Sequence, residues 1–332
     1  MKEFRAIRVA TDGTDIKCQL ETINSDQLPA SQVLIKVVCS SLNYKDALSA
    51  SGHKGVTRAL PHTPGIDAAG IVVEDLSGRF EPGARVIVSG FDFGMNSDGG
   101  LAEYCKAPVE WVCPCPDNLS FYDSMALGTA GITVALALQK IDRQLPINCD
   151  NTKFVVSGAS GGVGSMAIKI ASAHGYSVTA ITSRENEFQR LQKLGARQCV
   201  LASEWSSNSE KPLLKPEFTA GLDTVGGPVL VNLLKAIAPE GALACCGMAL
   251  SANFCSTVFP FILRGVSLLG VDSAEIALSE KASLWQSLAD LNLKFDDVAE
   301  QVSLRQVPAL LRDMQVGKGR GRKVVRIAEE ES

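Results

Sequence analysis

Two short stretches of this chain carry residue types that could do chemistry. The first is Ser157-Gly-Ala-Ser-Gly-Gly-Val-Gly164, set between apolar Phe154-Val-Val156 and a helical run from Ser165 through Met166, Ile168 and Ile170. Glycine lets an anion approach the backbone closely, and unpaired N–H groups at a helix start attract it. A strand ending at Val156, a tight turn over Gly158–Gly164 and a helix from Ser165 is the setting a dinucleotide pyrophosphate needs. The spacing is Ala159-x-Gly161-x-x-Gly164, with alanine where the usual fingerprint has its first glycine, so a turn in some other αβ unit also fits the bare motif. The second stretch is Thr182-Ser183-Arg184, at the tip of the next strand, about 20 residues beyond the turn. A carboxylate there would hold a ribose 2′-OH and repel a 2′-phosphate, whereas a hydroxyl and a guanidinium can bind the phosphate. NADP(H) is therefore the expected cofactor. Glu185 stands one position late for the carboxylate role, and Arg184 would otherwise only cap a surface loop.

The elements that must hold these residues follow from composition and pattern. At 332 residues, 46% apolar and 20% charged, the chain is long enough for two domains with substantial cores. A net charge of −4 gives no general electrostatic case for nucleic acid or an anionic membrane. There is no basic-then-apolar leader after Met1 and no apolar run of about 18 residues, so the chain reads as cytosolic. Ten cysteines, many within apolar runs such as Val37-Val-Cys39 and Ala244-Cys-Cys246, read as buried reduced thiols. Cys105, Cys113 and Cys115 form no C-x-x-C pair, and His53, His62 and His174 stand alone, so no metal site is expected from these residues.

Short strands with turn signals fill roughly the first 120 residues and imply a compact β barrel. They include Phe4–Val9, Val33–Val38, Pro64–Val73, Glu81–Val88, Asp98–Cys105 and Trp111–Pro116, with a short helix in Ser40–Leu48 and a loop over Gly52–Pro64. Within Pro64-Gly-Ile-Asp67-Ala-Ala-Gly70, Asp67 sits at a strand entrance and reads as a turn or cap residue as readily as a chemical one. Helices are expected over Ser120–Leu127 and Thr129–Leu138, with a loop over Asp142–Lys153. From about residue 130 to 272 strands and helices alternate, which means a doubly wound parallel sheet. Its further strands are Ser177–Ile181, Cys199–Leu201, Gly221–Val225 and Gly241–Gly247, with helices over Glu187–Leu194, closed by Gly195, and Val229–Ala238. Helices over Ser279–Asn292 and Ser303–Gln315 precede a last strand, Arg322–Ile327, that should return to the first domain, and the tail Glu329–Ser332 should be solvated.

The chain resembles the medium-chain dehydrogenase/reductase superfamily, in the acryloyl-CoA reductase type of its NADPH quinone oxidoreductase branch. The segments that carry the resemblance are Ser41–Leu48, Pro64–Gly70, Ser157–Gly164, Pro260-Phe-Ile-Leu-Arg264 and Leu269-Gly-Val-Asp-Ser273. It implies a GroES-like barrel domain over residues 1–128, a Rossmann NADP-binding domain over 129–272 and a C-terminal segment, 273–332, that returns to the barrel, with the active site in the cleft between the domains. Zinc enzymes of the superfamily place cysteine where Asn43 stands and His-Glu where Ile66-Asp67 stands, so a zinc-free site is implied. By the same resemblance, Tyr44 would lie near the nicotinamide, Ser160, Gly161, Gly162 and Val163 on the pyrophosphate, and Ser183 and Arg184 on the 2′-phosphate. Met248, Ile262 and Ser273 would line the nicotinamide half, and Arg322 would reach the cofactor. Close relatives can carry a further arginine after the third strand; Leu201-Ala-Ser203 stands there, and whether Arg197, slightly earlier, substitutes for it is left open by the sequence.

The implied reaction is NADPH-dependent reduction of an activated C=C bond in a short enoyl-thioester such as acryloyl-CoA. Charge developing on the carbonyl oxygen needs donors, and the α-carbon needs a proton. Asn43 and Tyr44 are the expected donors, with Tyr44 the proton source or a support for the nicotinamide, and Asp67 orienting both. Asn43 as a turn residue, Tyr44 as packing and Asp67 as a cap are the plainer alternatives. A quinone or enone reductase and a non-enzymatic NADPH-binding protein are the competing functions. Lys318, Arg320, Arg322, Lys323 and Arg326 could hold CoA phosphates or simply form a solvated loop and strand. A homodimer, through the edge of the Rossmann sheet, is implied by the resemblance.

Overall fold

The computed structural model describes residues 3–145, 152–206 and 210–328. The tail 329–332 and the centre of the loop expected over Asp142–Lys153 lie outside them. The chain forms two compact units, residues 1–132 with 273–332, and residues 133–272.

In the first unit, β1 (Glu3–Thr11) and β2 (Ile16–Asn24) form an antiparallel ribbon. Then come β3 (Val33–Ser41), α1 (Tyr44–Ala50), β4 (Asp67–Asp75), β5 (Arg85–Ser89), β6 (Tyr104–Ala107) and β7 (Val112–Pro114). The strand expected over Asp98–Cys105 is therefore only its end. Gly99, Gly100 and Leu101 instead donate their N–H groups to Thr63, Gly65 and Pro64, an irregular contact that glycines permit. β-branched Val33, Ile35, Val37, Val72, Val86 and Val88 suit a pleated surface and form one core. α2 (Phe121–Asp142) is long and apolar enough to cross a membrane, yet most of it is buried within the protein. It is broken at Gly128, where φ is 50° and ψ −154°, between the two helices expected from sequence.

The second unit runs β8 (Lys153–Val156), α3 (Gly162–Ala173), β9 (Ser177–Thr182), α4 (Phe188–Lys193), β10 (Ala196–Leu201) and α5 (Ser203–Ser206). It continues with β11 (Phe218–Asp223), α6 (Gly227–Ala236), β12 (Ile237–Cys245), α7 (Phe259–Arg264) and β13 (Ser267–Gly270). All pairings are parallel, in the order β10-β9-β8-β11-β12-β13, which is that of a dinucleotide-binding sheet. α3 begins three residues earlier than its apolar pattern suggests, because the turn closes in extended Gly161 and leaves Gly162 free to be helical. Val155, Ile181, Val229, Leu233 and Leu243 form the core between the sheet and α6.

The chain then returns to the first unit with α8 (Leu278–Asp290), β14 (Ala299–Ser303), α9 (Val307–Gln315) and β15 (Arg322–Arg326). β15 pairs antiparallel with β3, Val324 opposite Ser41, giving a seven-stranded sheet in which β3 also pairs with β4 and β6. β14 has no periodic signal of its own and exists by its parallel pairing with β15. Pro308 limits the helix expected from Ser303, and α9 starts only at Val307. Every described cysteine is free, and burial pushes the Cys105 thiol up to about 12, as suits an inert core thiol.

Candidate active site

In the first unit the site starts at the end of β3. Asn43, in extended conformation, caps α1, and its N–H donates to Asp46 Oδ2 at 2.7 Å. Asp46 Oδ1 accepts from Gly65 and Ile66 N–H at 3.1 and 2.9 Å, which ties the turn before β4 to the first turn of α1. Asp46 is fully buried. Burial pushes its carboxyl up to about 7, with the charge of Asp67 adding to the rise and three backbone N–H bonds opposing it.

Asp67, the first residue of β4, collects four donors on two oxygens. Oδ1 accepts from Thr129 Oγ1 at 2.7 Å; Oδ2 accepts from Ser41 Oγ at 2.6 Å, Asn43 Nδ2 at 2.8 Å and Thr129 N at 2.9 Å. Asn43 Nδ2 also donates to Ser41 Oγ at 3.1 Å, and its Oδ1 accepts from Arg322 Nη1 at 2.8 Å. This fixes the sense of the carboxamide, since the flipped amide would set its oxygen against a carboxylate.

Gly128 decides this geometry. A Cβ on it would stand 2.5 Å from Arg322 Nη2, 2.6 Å from Asp67 Oδ2 and 2.9 Å from Ser41 Oγ. In an unbroken helix the Thr129 N–H would donate to the Met125 carbonyl. At the break it goes to Asp67, while Met125 O accepts from Arg322 Nη2 at 3.2 Å and Ala126 O from Nε at 3.0 Å. The carbonyl end of one half-helix thus meets the cation and the amide end of the other meets the anion, each in its favoured sense.

These contacts alter two expectations. Asn43 was a candidate donor to a substrate oxygen, but its amide hydrogens face Asp67 and Ser41. Arg322 was expected at the cofactor. It is only 3% exposed, lies on β15 and donates to Leu42, Asn43, Met125 and Ala126. Its side-chain hydrogen bonds stay within the first unit. Asp67 has the surroundings of an anchor. Tyr44 differs from all three: it is 55% exposed in the first turn of α1, and its phenol makes no hydrogen bond among the described residues. Sequence reasoning missed Ser41, Asp46, Gly128 and Thr129; the Gly128-Thr129 step between two helical runs was the signal available.

In the second unit, the glycine turn leaves the carboxyl end of β8. Gly158 has φ +59°, and a Cβ there would lie 2.2 Å from Thr224 Oγ1; one on Gly164 would lie 2.3 Å from Gly158 O. Ser165 is the first residue of α3 whose N–H has a backbone acceptor, Gly161 O at 2.9 Å, and Gly161 offers no side-chain cap. Gly162 and Val163 therefore present uncapped N–H groups. Ser157 Oγ donates to Asp223 Oδ1 at 2.6 Å, which joins the ends of β8 and β11 where the strand order reverses. Burial raises the Asp223 carboxyl above the usual carboxylate range. Thr182 Oγ1 donates to Ser160 Oγ at 3.0 Å and accepts from Arg184 N at 3.2 Å, linking the turn to the tip of β9. Ser183 is exposed and Arg184 half-buried, while Arg190, a residue not expected here, donates to Ser160 O at 3.3 Å. Met248 and Ile262 are exposed at 60% and 67%, and Ser273 is half-buried in the first unit.

Arg197 does not join this group. It stands at the amino end of β10, lining an open groove with Lys153 and Lys215 at the opposite end of the sheet from the glycine turn. The basic run near the C-terminus is no single patch either, since Arg322 is buried and Lys323 pairs with Glu300. No three His, Cys, Asp or Glu side chains are grouped to hold a metal ion among the described residues.

Two family models match the chain: an alcohol dehydrogenase GroES-like domain over residues 29–117 and a zinc-binding dehydrogenase over residues 162–290. Bacillus subtilis YhfP, provisionally named a quinone oxidoreductase, is 36% identical over 98% of this chain and 99% of its own. The acrylyl-CoA reductase AcuI of Ruegeria pomeroyi is 34% identical over 97% of this chain and 98% of its own. The crystal structure of the yhdH oxidoreductase from Salmonella enterica in complex with NADP superposes with a TM-score of 0.93 at 34% identity, covering 97% of this chain and 99% of that one.

Proposed function

Because the chain belongs to the medium-chain dehydrogenase/reductase superfamily, we propose that it is an NADPH-dependent reductase of short enoyl-thioesters, taking acryloyl-CoA, NADPH and a proton to propanoyl-CoA and NADP⁺. The observation that carries the cofactor assignment is the uncapped start of α3 beneath a glycine turn in which a Cβ on Gly158 or Gly164 would be blocked by Thr224 or by backbone. Those N–H groups fit a pyrophosphate, with Ser160, Gly161, Gly162 and Val163 around it. Ser183 and Arg184 follow β9 directly with no carboxylate between, which suits a 2′-phosphate. Met248, Ile262 and Ser273 are assigned to the nicotinamide half. When bound, NADPH supplies the hydride for the β-carbon of the substrate.

The residues around Asp67 are hydroxyls and an amide already bonded to it, a set that fits no zinc ion. We therefore derive carbonyl activation from hydrogen bonding. Tyr44, exposed and unpaired, is the donor to the thioester oxygen or the acid that protonates the α-carbon. Asn43 and Asp67 hold the start of α1 that carries it. The thioester substrate rests on the full-length similarity to a protein named acrylyl-CoA reductase. As partner we propose a second copy of the chain on the open edge of β13, beside exposed Val258, Phe259 and Leu263.

NADPH oxidation by the purified protein with acryloyl-CoA, longer enoyl-CoAs, simple enones and quinones tests the reading. The expected result is the highest kcat/KM with acryloyl-CoA. Turnover no greater than with a simple quinone would overturn the substrate class, and tight NADPH binding without turnover of any of them would favour a non-enzymatic role.

A further inference from the structure

We infer that the break in α2 is a positioning device for the proposed reaction: Thr129, acting through Asp67, fixes the Asn43 carboxamide and with it the turn that carries Tyr44. The inference rests on that functional reading for its catalytic consequence and on geometry for its structural one. Oδ1 of Asp67 has Thr129 Oγ1 as its donor, whereas Oδ2 has three others. The threonine hydroxyl therefore decides how the carboxylate is rotated. Without it Oδ1 faces a buried space with no donor, and the carboxylate turns to find one, taking Oδ2 away from Asn43 Nδ2.

The helix is broken for these contacts rather than merely near them. Continued through residue 128, α2 would satisfy Met125 O and Thr129 N by each other. Instead both groups are turned outward to Arg322 and Asp67, through a backbone conformation only glycine adopts readily. Asn43 lies between the two ends of the device, its amide nitrogen on Asp67 and its oxygen on Arg322. It is also the residue that starts α1, so its orientation sets the first helical residue, Tyr44. Thr129 is a positioning residue: it touches neither reacting atom, and it acts through the rotation of a neighbouring carboxylate.

Thr129→Val and Thr129→Ser separate this from a structural role. Valine keeps the shape and removes the hydroxyl; serine restores the hydroxyl. With NADPH and the best electrophile, Thr129→Val should lower kcat roughly 10-fold, the worth of a hydrogen bond to a charged group, with KM for NADPH unchanged. Thr129→Ser should recover to within about 2-fold of the parent. On the protein without ligands, the Asn43 side-chain NH₂ resonances, assigned with Asn43→Ala in ¹⁵N-asparagine-labelled material, should lose their protection from solvent exchange in Thr129→Val and regain it in Thr129→Ser. Thr129→Val with parental kcat overturns the inference, even if its melting temperature falls, because that is what a structural role alone predicts. Unchanged Asn43 resonances overturn it as well. If the parent protein turns over none of the electrophiles, the functional reading fails by itself, and the Asn43 resonances still decide the positioning claim.

Discussion

Replacing Arg322 by methionine separates two tasks for this arginine, cofactor contact and internal support. Its guanidinium faces Asp67 and Asp46, both fully buried, and donates to Leu42 O, Asn43 Oδ1, Met125 O and Ala126 O. Methionine fills much of the volume but leaves two carboxylates without a facing cation and four acceptors without donors. Breaking a buried charge pair from one side costs about 3–5 kcal/mol, and part of it is recovered when a carboxylate takes up a proton, so about 4 kcal/mol is a working figure. For a unit of this size each kcal/mol moves the melting temperature by roughly 2–4 °C, giving a fall of roughly 8–16 °C in protein without cofactor. Differential scanning calorimetry on ligand-free Arg322→Met and Arg322→Lys measures it. Lysine keeps the charge but cannot reach four acceptors with a planar fork, so it should fall in between. In both variants KM for NADPH should stay near the parent value. An internal-support role is ruled out if ligand-free Arg322→Met melts within about 2 °C of the parent while KM for NADPH rises tenfold or more, since that pattern belongs to a cofactor contact.

Three further outcomes are expected. Tyr44→Phe should lower kcat by roughly 100-fold if the phenol is the general acid and leave NADPH binding alone; an unchanged kcat assigns Tyr44 to packing. Arg184→Asp should raise KM for NADPH by roughly 10- to 100-fold and leave KM for NADH the same or lower, read from initial rates with each nucleotide. Asp46 has a folded-state pKa of about 7, raised chiefly by burial, against about 3.9 in the unfolded chain. The stability it contributes is thus fully present below about pH 4 and is lost as pH rises through about 7. The melting temperature of the parent relative to Asp46→Asn should accordingly decline from pH 4 to pH 8; a gap that widens with pH would contradict the burial argument.

How much of this was legible in the sequence depended on how local each feature is. The glycine turn and Ser183-Arg184 are runs of neighbours whose backbone chemistry is decided within a few residues. Reading them as a cofactor site needs only the strand before and the helix after; β8 and β9 occur where the apolar pattern puts them, and α3 follows the turn. The two helices around Gly128 were legible for the same reason, because helical patterning on either side of one glycine, alanine-rich after it, is a short-range signal. What the pattern hid was β14, which exists by pairing with β15, and the true start of α3, where the turn rather than apolar spacing sets the boundary.

The tasks of Asn43, Asp67 and Arg322 were of the other kind. From the sequence alone, Asp67 was a strand-entrance carboxylate with several readings, Arg322 one of five basic residues near the C-terminus, and Thr129 part of a helix. Residues 41, 43, 46, 67, 129 and 322 meet only because β3 pairs with both β4 and β15 and because α2 breaks at Gly128. A hydrogen-bond donor can be counted in a sequence, but whether it is free or already taken is a property of partners that the fold brings in from as far as 280 residues away. The sequence by itself determined the expected cofactor, since the groups proposed to hold its phosphates are consecutive backbone N–H groups and one adjacent strand tip. Only the tertiary structure decided which polar residues remain available for a substrate, because buried side chains satisfy one another first. On that count Asn43 and Arg322 are occupied, and Tyr44 stays open.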